Sequence, residues 1–283
     1  MTTASLSAVG APRRRHLLPA GLHTLRGTTG LALVGLVVLA GLLAPLLTSA
    51  DPLAQSALAL AGPSADHPFG TDDLGRDLFS RVLHGIRADL LISVIAVPAG
   101  AVLGCSLALL AATSRGADVA VQRVFDLLLA FPGLILALAV TAVLGPGRWP
   151  VVIVIALAEI PGFGRQLRAG ILVQREREYA LAARLGGASK ARVLLRHVLP
   201  NATDPLIVQG AIAFSLAVFI EGAMSFLGVG LRPPEPSLGG ILSQSMAYLS
   251  SHPTFAAAPL VVVTALVLGF TLIAEALNEG IRR

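Results

Sequence analysis

Charged residues in this chain stand in groups, and long apolar stretches separate the groups. Residues 27–50, 90–114 and 127–147 contain no Asp, Glu, Lys or Arg, so these stretches are 24, 25 and 21 residues long. About 20 apolar residues in a helix cross the ~30 Å hydrocarbon core of a bilayer. Each stretch is therefore predicted to form a transmembrane helix.

Three later stretches are also apolar, although two of them contain an acidic residue. Residues 149–164 include Glu159, residues 205–229 include Glu221, and residues 256–274 carry no charge. Together the six stretches predict an all-α membrane protein with six transmembrane helices. The composition agrees, because 55% of the residues are hydrophobic, 13% are charged and the mean hydropathy is +0.80.

The basic residues favour one orientation in the membrane. If the N-terminus faces the cytoplasm, 16 of the 21 Lys and Arg residues fall in cytoplasmic segments and 5 in outer segments, as the positive-inside rule requires. Twenty of the 21 are Arg, which suggests the codon bias of a GC-rich bacterial genome. We therefore expect a multi-pass protein of the bacterial cytoplasmic (inner) membrane with both termini in the cytoplasm, and no nucleic acid as a partner.

The chain divides into four predicted segments. An Arg-rich start at Arg13–Arg15 is typical of signal peptides, but the apolar run 28–47 is longer than the ~7–15 residues of such a signal, so the first helix should be retained. The segments are a cytoplasmic tail at 1–27, a first transmembrane helix at 28–50, an outer-side segment at 51–87, and a core at 88–283 that holds five transmembrane helices and a cytoplasmic loop at 163–202.

The outer-side segment contains a short polar motif between His67 and Asp77. Its aspartates lack the alternate spacing of a calcium-binding EF-hand loop, so no metal site is predicted. Thr71 or Asp72 is suited to cap a surface helix that begins near Asp73, with Leu74 and later apolar residues on one face.

The cytoplasmic loop is the longest basic segment, with a net charge of +6 over residues 163–201. Small and helix-forming residues after Glu178 predict a short helix that ends at Gly186-Gly187. Ser189 is suited to cap a second helix over 190–199, which Pro200-Asn201 should stop. Two short helices joined by a glycine break are therefore expected.

This loop resembles the EAA loop of ATP-binding cassette (ABC) importer permeases. The resemblance rests on Ala182-Ala183, then Gly187, then Leu199-Pro200 at the distance found in that family. One departure is Leu181, where the motif has a glutamate. In that family the loop carries a short helix that enters a groove of the ATPase subunit.

Further motifs extend the resemblance over nearly the whole chain and place it in the peptide and nickel branch. It looks like the second, C-type permease subunit of that branch. The matching segments are Pro63-Ser64, His67–Asp77, Phe131-Pro132, Glu178-Tyr179, Gly187–Ser189, Arg196–Asn201, Glu221 and Ser225–Gly230.

The resemblance implies a type I ABC importer permease fold and transport by alternating access. It implies four kinds of partner: a homologous permease subunit, two ATPase subunits or domains, an extracytoplasmic substrate-binding protein, and the lipid bilayer. ATP and Mg²⁺ would be held by the ATPases, with no cofactor and no metal in this chain. The implied ATPase-coupling residues are Glu178, Tyr179, Ala180, Ala182, Ala183, Gly186, Gly187, Ala188, Ser189, Arg196, His197, Leu199 and Pro200.

Two acidic residues in apolar stretches leave alternatives open. An acid at membrane depth is costly, so Glu221 is expected either to line the path, to be paired, or to lie near the outer interface. Glu159 presents the same choice on the inner side, with Arg165 as its possible partner.

Nucleotide binding, hydrolysis, nickel transport and lipid binding have less support in the sequence. The only lysine, Lys190, is followed by Ala191, so a nucleotide-binding P-loop is excluded, and no nucleophile with a base supports a membrane-embedded hydrolase. Nickel is an alternative cargo to di- and oligopeptides, but only Met224 and Met246 follow the start residue. Anionic lipid is an alternative partner for the basic loop, through Arg165, Arg168, Arg175 and Arg177.

Overall fold

The computed structural model describes residues 20–282 as helices joined by short turns and one long outer segment. Most of the predicted tail at 1–27 lies outside the described residues. The described part contains no β-strand, in agreement with the all-α prediction. Its α-helices are α1 Leu25–Leu42, α2 Ala44–Leu47, α3 Leu78–Ala111, α4 Arg115–Ala130, α5 Gly133–Leu144, α6 Arg148–Arg175, α7 Glu178–Leu185, α8 Lys190–Arg192, α9 Leu199–Ala202, α10 Asp204–Phe226, α11 Leu238–Ser245 and α12 Pro253–Arg282.

Five of these helices are long and apolar enough to cross a membrane: α1, α3, α6, α10 and α12. The count reaches six if α4 and α5 together form one broken span, since they meet at an angle of 89°. The third stretch, predicted over 127–147 as one helix, is instead divided between the end of α4 and α5. Pro132 lacks an N–H and disfavours helical backbone at Phe131, which is extended at φ −83° and ψ 123°.

Helix α3 differs from the prediction for the outer segment. No separate surface helix begins near Asp73, because α3 begins at Leu78 and continues for 34 residues to Ala111. Its N-cap is Asp77, whose Oδ2 accepts a hydrogen bond from the Ser80 N–H at 2.8 Å. At ~1.5 Å per residue the helix is about 50 Å long, so it extends well beyond a bilayer core.

Small residues allow the long helices to pack closely. A Cβ added to Gly100 of α3 would lie 2.7 Å from the Glu159 Cβ of α6, and one added to Gly30 of α1 would lie 2.8 Å from the Gly269 carbonyl oxygen of α12. Close backbone approach of this kind is typical of helices that associate in membranes. The bundle is thus built on α3 against α6 and on α12 against α1 and α10.

The outer segment between α2 and α3 is fixed by a buried ionic cluster. The Asp72 carboxylate is fully buried and pairs with the Arg76 Nε at 2.6 Å and the Arg81 Nε at 3.3 Å. Arg76 also donates to Gln244 of α11 at 3.4 Å. The guanidinium groups of Arg76 and Arg81 therefore both bind the Asp72 carboxylate. These contacts hold the segment against α3 and α11.

Candidate functional site

The candidate site is the segment that follows α6, and its first part is a continuation of that helix. Helix α6 runs from Arg148 to Arg175, so residues 163–175 of the predicted cytoplasmic loop are helical. The remaining part, residues 176–202, is called the coupling segment here. It contains α7, a glycine turn, α8, a π-helical turn over Val193–Val198, and α9.

The glycine pair ends α7 as the sequence predicted. Gly187 has a φ of +80°, in the left-handed region that favours glycine. The Ala188 N–H donates to the Ala183 carbonyl at 3.1 Å and the Gly187 N–H donates to the Arg184 carbonyl at 3.0 Å. These two bonds form a Schellman motif, which satisfies the last carbonyls of α7 and fixes the direction of the chain after it.

The second helical part begins as predicted but ends later. The Ser189 Oγ accepts a hydrogen bond from the Arg192 N–H at 3.3 Å, which confirms Ser189 as the N-cap. The predicted stop at Pro200-Asn201 is wrong, because α9 continues through both residues to Ala202. A π-helical turn directly precedes α9, where a regular α-helical turn would bring the proline ring against the carbonyl four residues earlier.

One face of the coupling segment is buried against the ends of the membrane helices. Ala180, Val193 and Val198 pack in one apolar cluster with Ala108 of α3 and Leu167 of α6, together with neighbouring residues. Ala180 has no exposed surface. Since protein interiors are densely packed and transmit displacement, a force on α7 would reach α3 and α6 directly.

The opposite face of the coupling segment is exposed although much of it is apolar. The exposed fractions are 81% for Leu185, 53% for Leu181 and 38% for Tyr179. Leu181 and Leu185 are four residues apart and so share one face of α7. We call this pair, with Tyr179, the leucine ridge.

The predicted coupling residues divide between the two faces. The Tyr179 hydroxyl donates to the Gln174 Oε1 at 2.7 Å, which ties the ridge to the end of α6. Of the residues assigned through the resemblance, Glu178, Tyr179, Ala182, Gly186, Gly187, Ser189, Arg196 and Pro200 are exposed, Ala183, Ala188, His197 and Leu199 are half-buried, and Ala180 is buried.

The sequence analysis missed the leucine ridge and noted Leu181 only as a departure from the motif. A signal was available, because Leu181 and Leu185 stand at helical spacing within a segment whose other face consists of alanines. The ridge is an exposed apolar part of the site and therefore a surface that a partner can contact.

Glu221 lies in a buried cluster near the C-terminal end of α10. Its Oε1 accepts a hydrogen bond from the Ser225 hydroxyl at 2.6 Å, and its carboxyl faces that of Asp89 of α3. The Asp89 Oδ2 accepts a hydrogen bond from the Leu238 N–H at 3.1 Å, at the start of α11. Glu221 and Asp89 are each 1% exposed. The structure therefore places Glu221 between three helices, next to an acid that the sequence analysis used only as a helix boundary.

Glu159 lies on the face of α6 that packs against α3, and it is 2% exposed. The expected partner Arg165 instead pairs with Asp126 of α4 at 2.7 Å, so the predicted Glu159–Arg165 pair is wrong. The two residues are six positions apart, whereas side chains meet on a helix at spacings of three or four. The Glu159 Oε1 has no hydrogen-bond partner within the described residues.

Two solved structures share the fold of this chain. A chain of the MetNI methionine ABC transporter in inward-facing conformations matches with a TM-score of 0.57 and 19% identity, over 71% of this chain and 95% of its own. A chain of an amino acid ABC transporter with histidines matches with a TM-score of 0.55 and 16% identity, over 72% and 94%. The fold is that of a type I ABC importer permease.

Sequence comparisons give the family. Residues 96–283 match the family described as binding-protein-dependent transport system inner membrane component, and the chain belongs to that family. Its members are the membrane-spanning, non-catalytic components of ABC transporters, in which separate subunits hydrolyse ATP. The chain is therefore a multi-pass membrane protein and a transporter subunit, as predicted.

The alignments with curated relatives span most of this chain and most of each relative. The dipeptide transport system permease protein DppC of Alkalihalophilus pseudofirmus is 38% identical over 89% of this chain and 85% of its own. A putative peptide transport system permease protein of Brucella suis is 40% identical over 88% and 85%. The glutathione transport system permease protein GsiD of Pectobacterium atrosepticum is 36% identical over 78% and 73%.

Proposed function

We propose that this chain is the second permease subunit of an ATP-driven peptide importer. It forms half of the transport path with a homologous permease subunit, and it accepts solute from an extracytoplasmic binding protein. Both termini and the coupling segment face the cytoplasm, where two ATPase subunits or domains bind ATP and Mg²⁺. The chain itself carries no cofactor.

The leucine ridge is the observation that carries this proposal. Leu181 and Leu185 are exposed outside the apolar spans, and exposed apolar surface of this kind marks contact with another protein. The buried face of the same segment packs on α3 and α6. A partner that holds the ridge is therefore in mechanical contact with two membrane helices.

Alternating access follows from this connection. The ATPases can favour one membrane conformation only if they contact the two conformations differently. The Schellman turn at Gly187 and the packing of Ala180 keep the coupling segment stiff, so that movement of the ATPases is passed to α3 and α6 rather than absorbed by the loop.

Peptides are the cargo that the relatives support best. The names of the relatives include a dipeptide, a peptide and a glutathione permease. Nickel is the second candidate, through the resemblance to the peptide and nickel branch. Of the two available methionines, Met224 is fully buried and Met246 is 45% exposed, which offers a soft metal one accessible thioether at most.

Copurification with the ATPase tests the docking proposal. Leu185→Glu places a charge on the exposed ridge without disturbing a buried contact, and it should abolish or strongly reduce ATPase recovery while the chain remains in the membrane. Leu74→Glu is the matched control, because Leu74 is 44% exposed on the outer segment. Equal ATPase recovery from the ridge and control variants would contradict the proposal.

Uptake measurements test the cargo separately. Cells that lack this chain, and the same cells with it restored, are compared for ATP-dependent uptake of labelled di- and oligopeptides, with nickel as a parallel tracer. Restored peptide uptake supports the proposal. Restored nickel uptake alone would move the chain to the metal branch.

A further inference from the structure

A large groove lies between the coupling segment and the ends of α3 and α6. Its volume is about 740 Å³, and its walls are mainly apolar. Leu109 and Leu110 come from the last turns of α3, and Leu194 and Leu195 come from the coupling segment. Because Leu109 and Leu110 belong to the apolar stretch of a membrane-spanning helix, the groove opens at the level where the bilayer ends.

Basic side chains line this groove, and it contains no acidic residue. The three basic residues are Arg175, Arg184 and Lys190. A smaller cavity of about 320 Å³ shares Ala112, Thr113, Ile171 and Arg175 with the groove, and it adds Arg115 and the paired Arg168 and Asp118. The basic residues are thus arranged around an apolar channel rather than scattered over a solvated surface.

In the part of the chain that the structure describes, no carboxylate lies within ion-pair distance of the basic residues that line the groove, although Asp118 of α4 acts electrostatically on Arg175. Within the described residues, Arg115, Arg175, Arg184 and Lys190 form no ion pair, whereas the nearby Arg168 binds Asp118 through both Nε and Nη2, at 2.5 and 2.8 Å. Arg184 donates one hydrogen bond to the Arg175 carbonyl at 2.6 Å. An anion in the groove would therefore meet several donors that no carboxylate occupies.

We propose that the groove binds an anionic phospholipid, with an acyl chain along its leucines and the phosphate between Arg175 and Lys190. A free phosphate ion would leave the leucines exposed to water. A soluble protein partner would have to reach leucines that belong to a membrane-spanning helix. Basic pockets between helices at a membrane surface are suited to lipid phosphates, and Arg and Lys side chains extend along apolar surface to reach them.

The lipid would act as a structural part of the coupling segment. It would fill the space under α8 and the π-helical turn, which the protein leaves open next to the residues that link α7 to α3 and α6. The proposal that lipid binds rests on the groove alone. The assignment of this lipid to the inner leaflet rests on the orientation given under the proposed function.

Quenching of a single tryptophan tests the proposal directly. The chain has one tryptophan, Trp149, at the start of α6, so Trp149→Phe with Leu195→Trp gives one reporter in the groove. The full chain is reconstituted, with and without its copurified ATPases, in vesicles of phosphatidylcholine and phosphatidylglycerol. Bromine is carried by one lipid or the other, and each brominated lipid is varied over the same range of mole fractions.

Brominated phosphatidylglycerol should quench the reporter at a lower mole fraction than brominated phosphatidylcholine. Arg175→Gln with Lys190→Gln should reduce this preference by roughly fivefold for each charge removed. Arg123→Gln with Arg192→Gln is the matched control, since both arginines are exposed, lie on the same side of the membrane and do not line the groove. The control pair should keep the preference.

Three outcomes would overturn the proposal. They are equal quenching by both lipids, a preference that survives the Arg175 and Lys190 substitutions, and quenching that appears only after the ATPases are removed, which would assign the groove to a protein partner. Because Leu195→Trp changes the groove itself, lipid retained by the unaltered chain after detergent purification is also measured by native mass spectrometry. Absence of retained phosphatidylglycerol there would count against the site, whereas ATPase recovery tests the docking function independently.

Discussion

The outer segment buries ionic side chains, whereas the coupling segment exposes apolar ones. In the outer segment, Asp72, Arg76 and Arg81 are almost completely buried and pair with one another. On the coupling side, Leu181 and Leu185 are exposed, and the basic residues around the groove have no acidic partner. The first region is closed within the chain, whereas the second is incomplete without other molecules.

This difference indicates which region depends on an assembly. Buried ionic groups stabilise a fold only when every partner is present, so the outer cluster serves the chain's own architecture. Exposed leucines contribute little to the stability of the isolated chain. Substitutions on the outer side should therefore change stability, and substitutions on the leucine ridge should change binding.

The largest stability effect is expected from Asp72→Asn. Removal of this charge leaves the buried Arg76 and Arg81 with only the more distant Asp73 carboxylate, 3.9 Å from the Arg76 Nη2, which should cost about 3–5 kcal/mol of unfolding free energy. Thermal or denaturant unfolding of the purified chain in detergent measures the change. Asp66→Asn is the control, because Asp66 is exposed in the same segment and should leave stability unchanged. Equal stability of the two variants would show that the cluster does not hold the outer segment.

Two alanines of α7 allow the comparison to be made within one helix. Ala180 is fully buried, so Ala180→Phe should overpack the cluster under the coupling segment and cost ~1–3 kcal/mol. Ala182 is exposed, so Ala182→Phe should leave stability unchanged and reduce ATPase recovery instead. Unfolding and copurification are measured for both variants. A loss of stability in Ala182→Phe would mean that this face is also packed within the chain.

Substitutions at the turn after α7 should act through backbone conformation rather than through steric overlap. No atom lies within 4 Å of a Cβ added at Gly187, so only its positive φ opposes a side chain. Gly187→Val should cost ~1–2 kcal/mol and weaken ATPase recovery, whereas Gly187→Asn should cost less because Asn tolerates the left-handed conformation. Gly186→Ala is the control, with a φ of −73°. Equal effects of Val and Asn would show that the side chain, and not the backbone, matters at this turn.

Local signals in the sequence predicted the coupling segment well. The end of α7 at Gly187 and the cap at Ser189 depend on residues within one or two turns, so their positions follow from the sequence alone. The predicted stop at Pro200 was wrong because the π-helical turn before it adapts the backbone to the proline. The break within 127–147 was missed, because the apolar length of this stretch was given more weight than Pro132.

Contacts between distant residues could not be predicted in the same way. Asp89 and Leu238 are 149 residues apart and meet only because α3, α10 and α11 pack together. Their cluster brings Glu221 next to a second acid, and nothing in the local sequence around Glu221 signals that neighbour. The groove is a similar case, since its walls come from α3, α6 and the coupling segment.

The smallest change in stability is expected from a substitution of Glu221. Glu221→Gln keeps an acceptor for the Ser225 hydroxyl and replaces one of the two facing carboxyl groups with an uncharged amide, so stability should change by less than about 1 kcal/mol. Asp89→Ala is the contrasting variant, because it leaves the buried Leu238 N–H without its acceptor and should cost ~1–3 kcal/mol. Unfolding and peptide uptake are measured for both. If Glu221 is only a member of a structural cluster, Glu221→Gln should transport at the rate of the unaltered chain; a stable variant with strongly reduced uptake would instead place this carboxyl in the transport path.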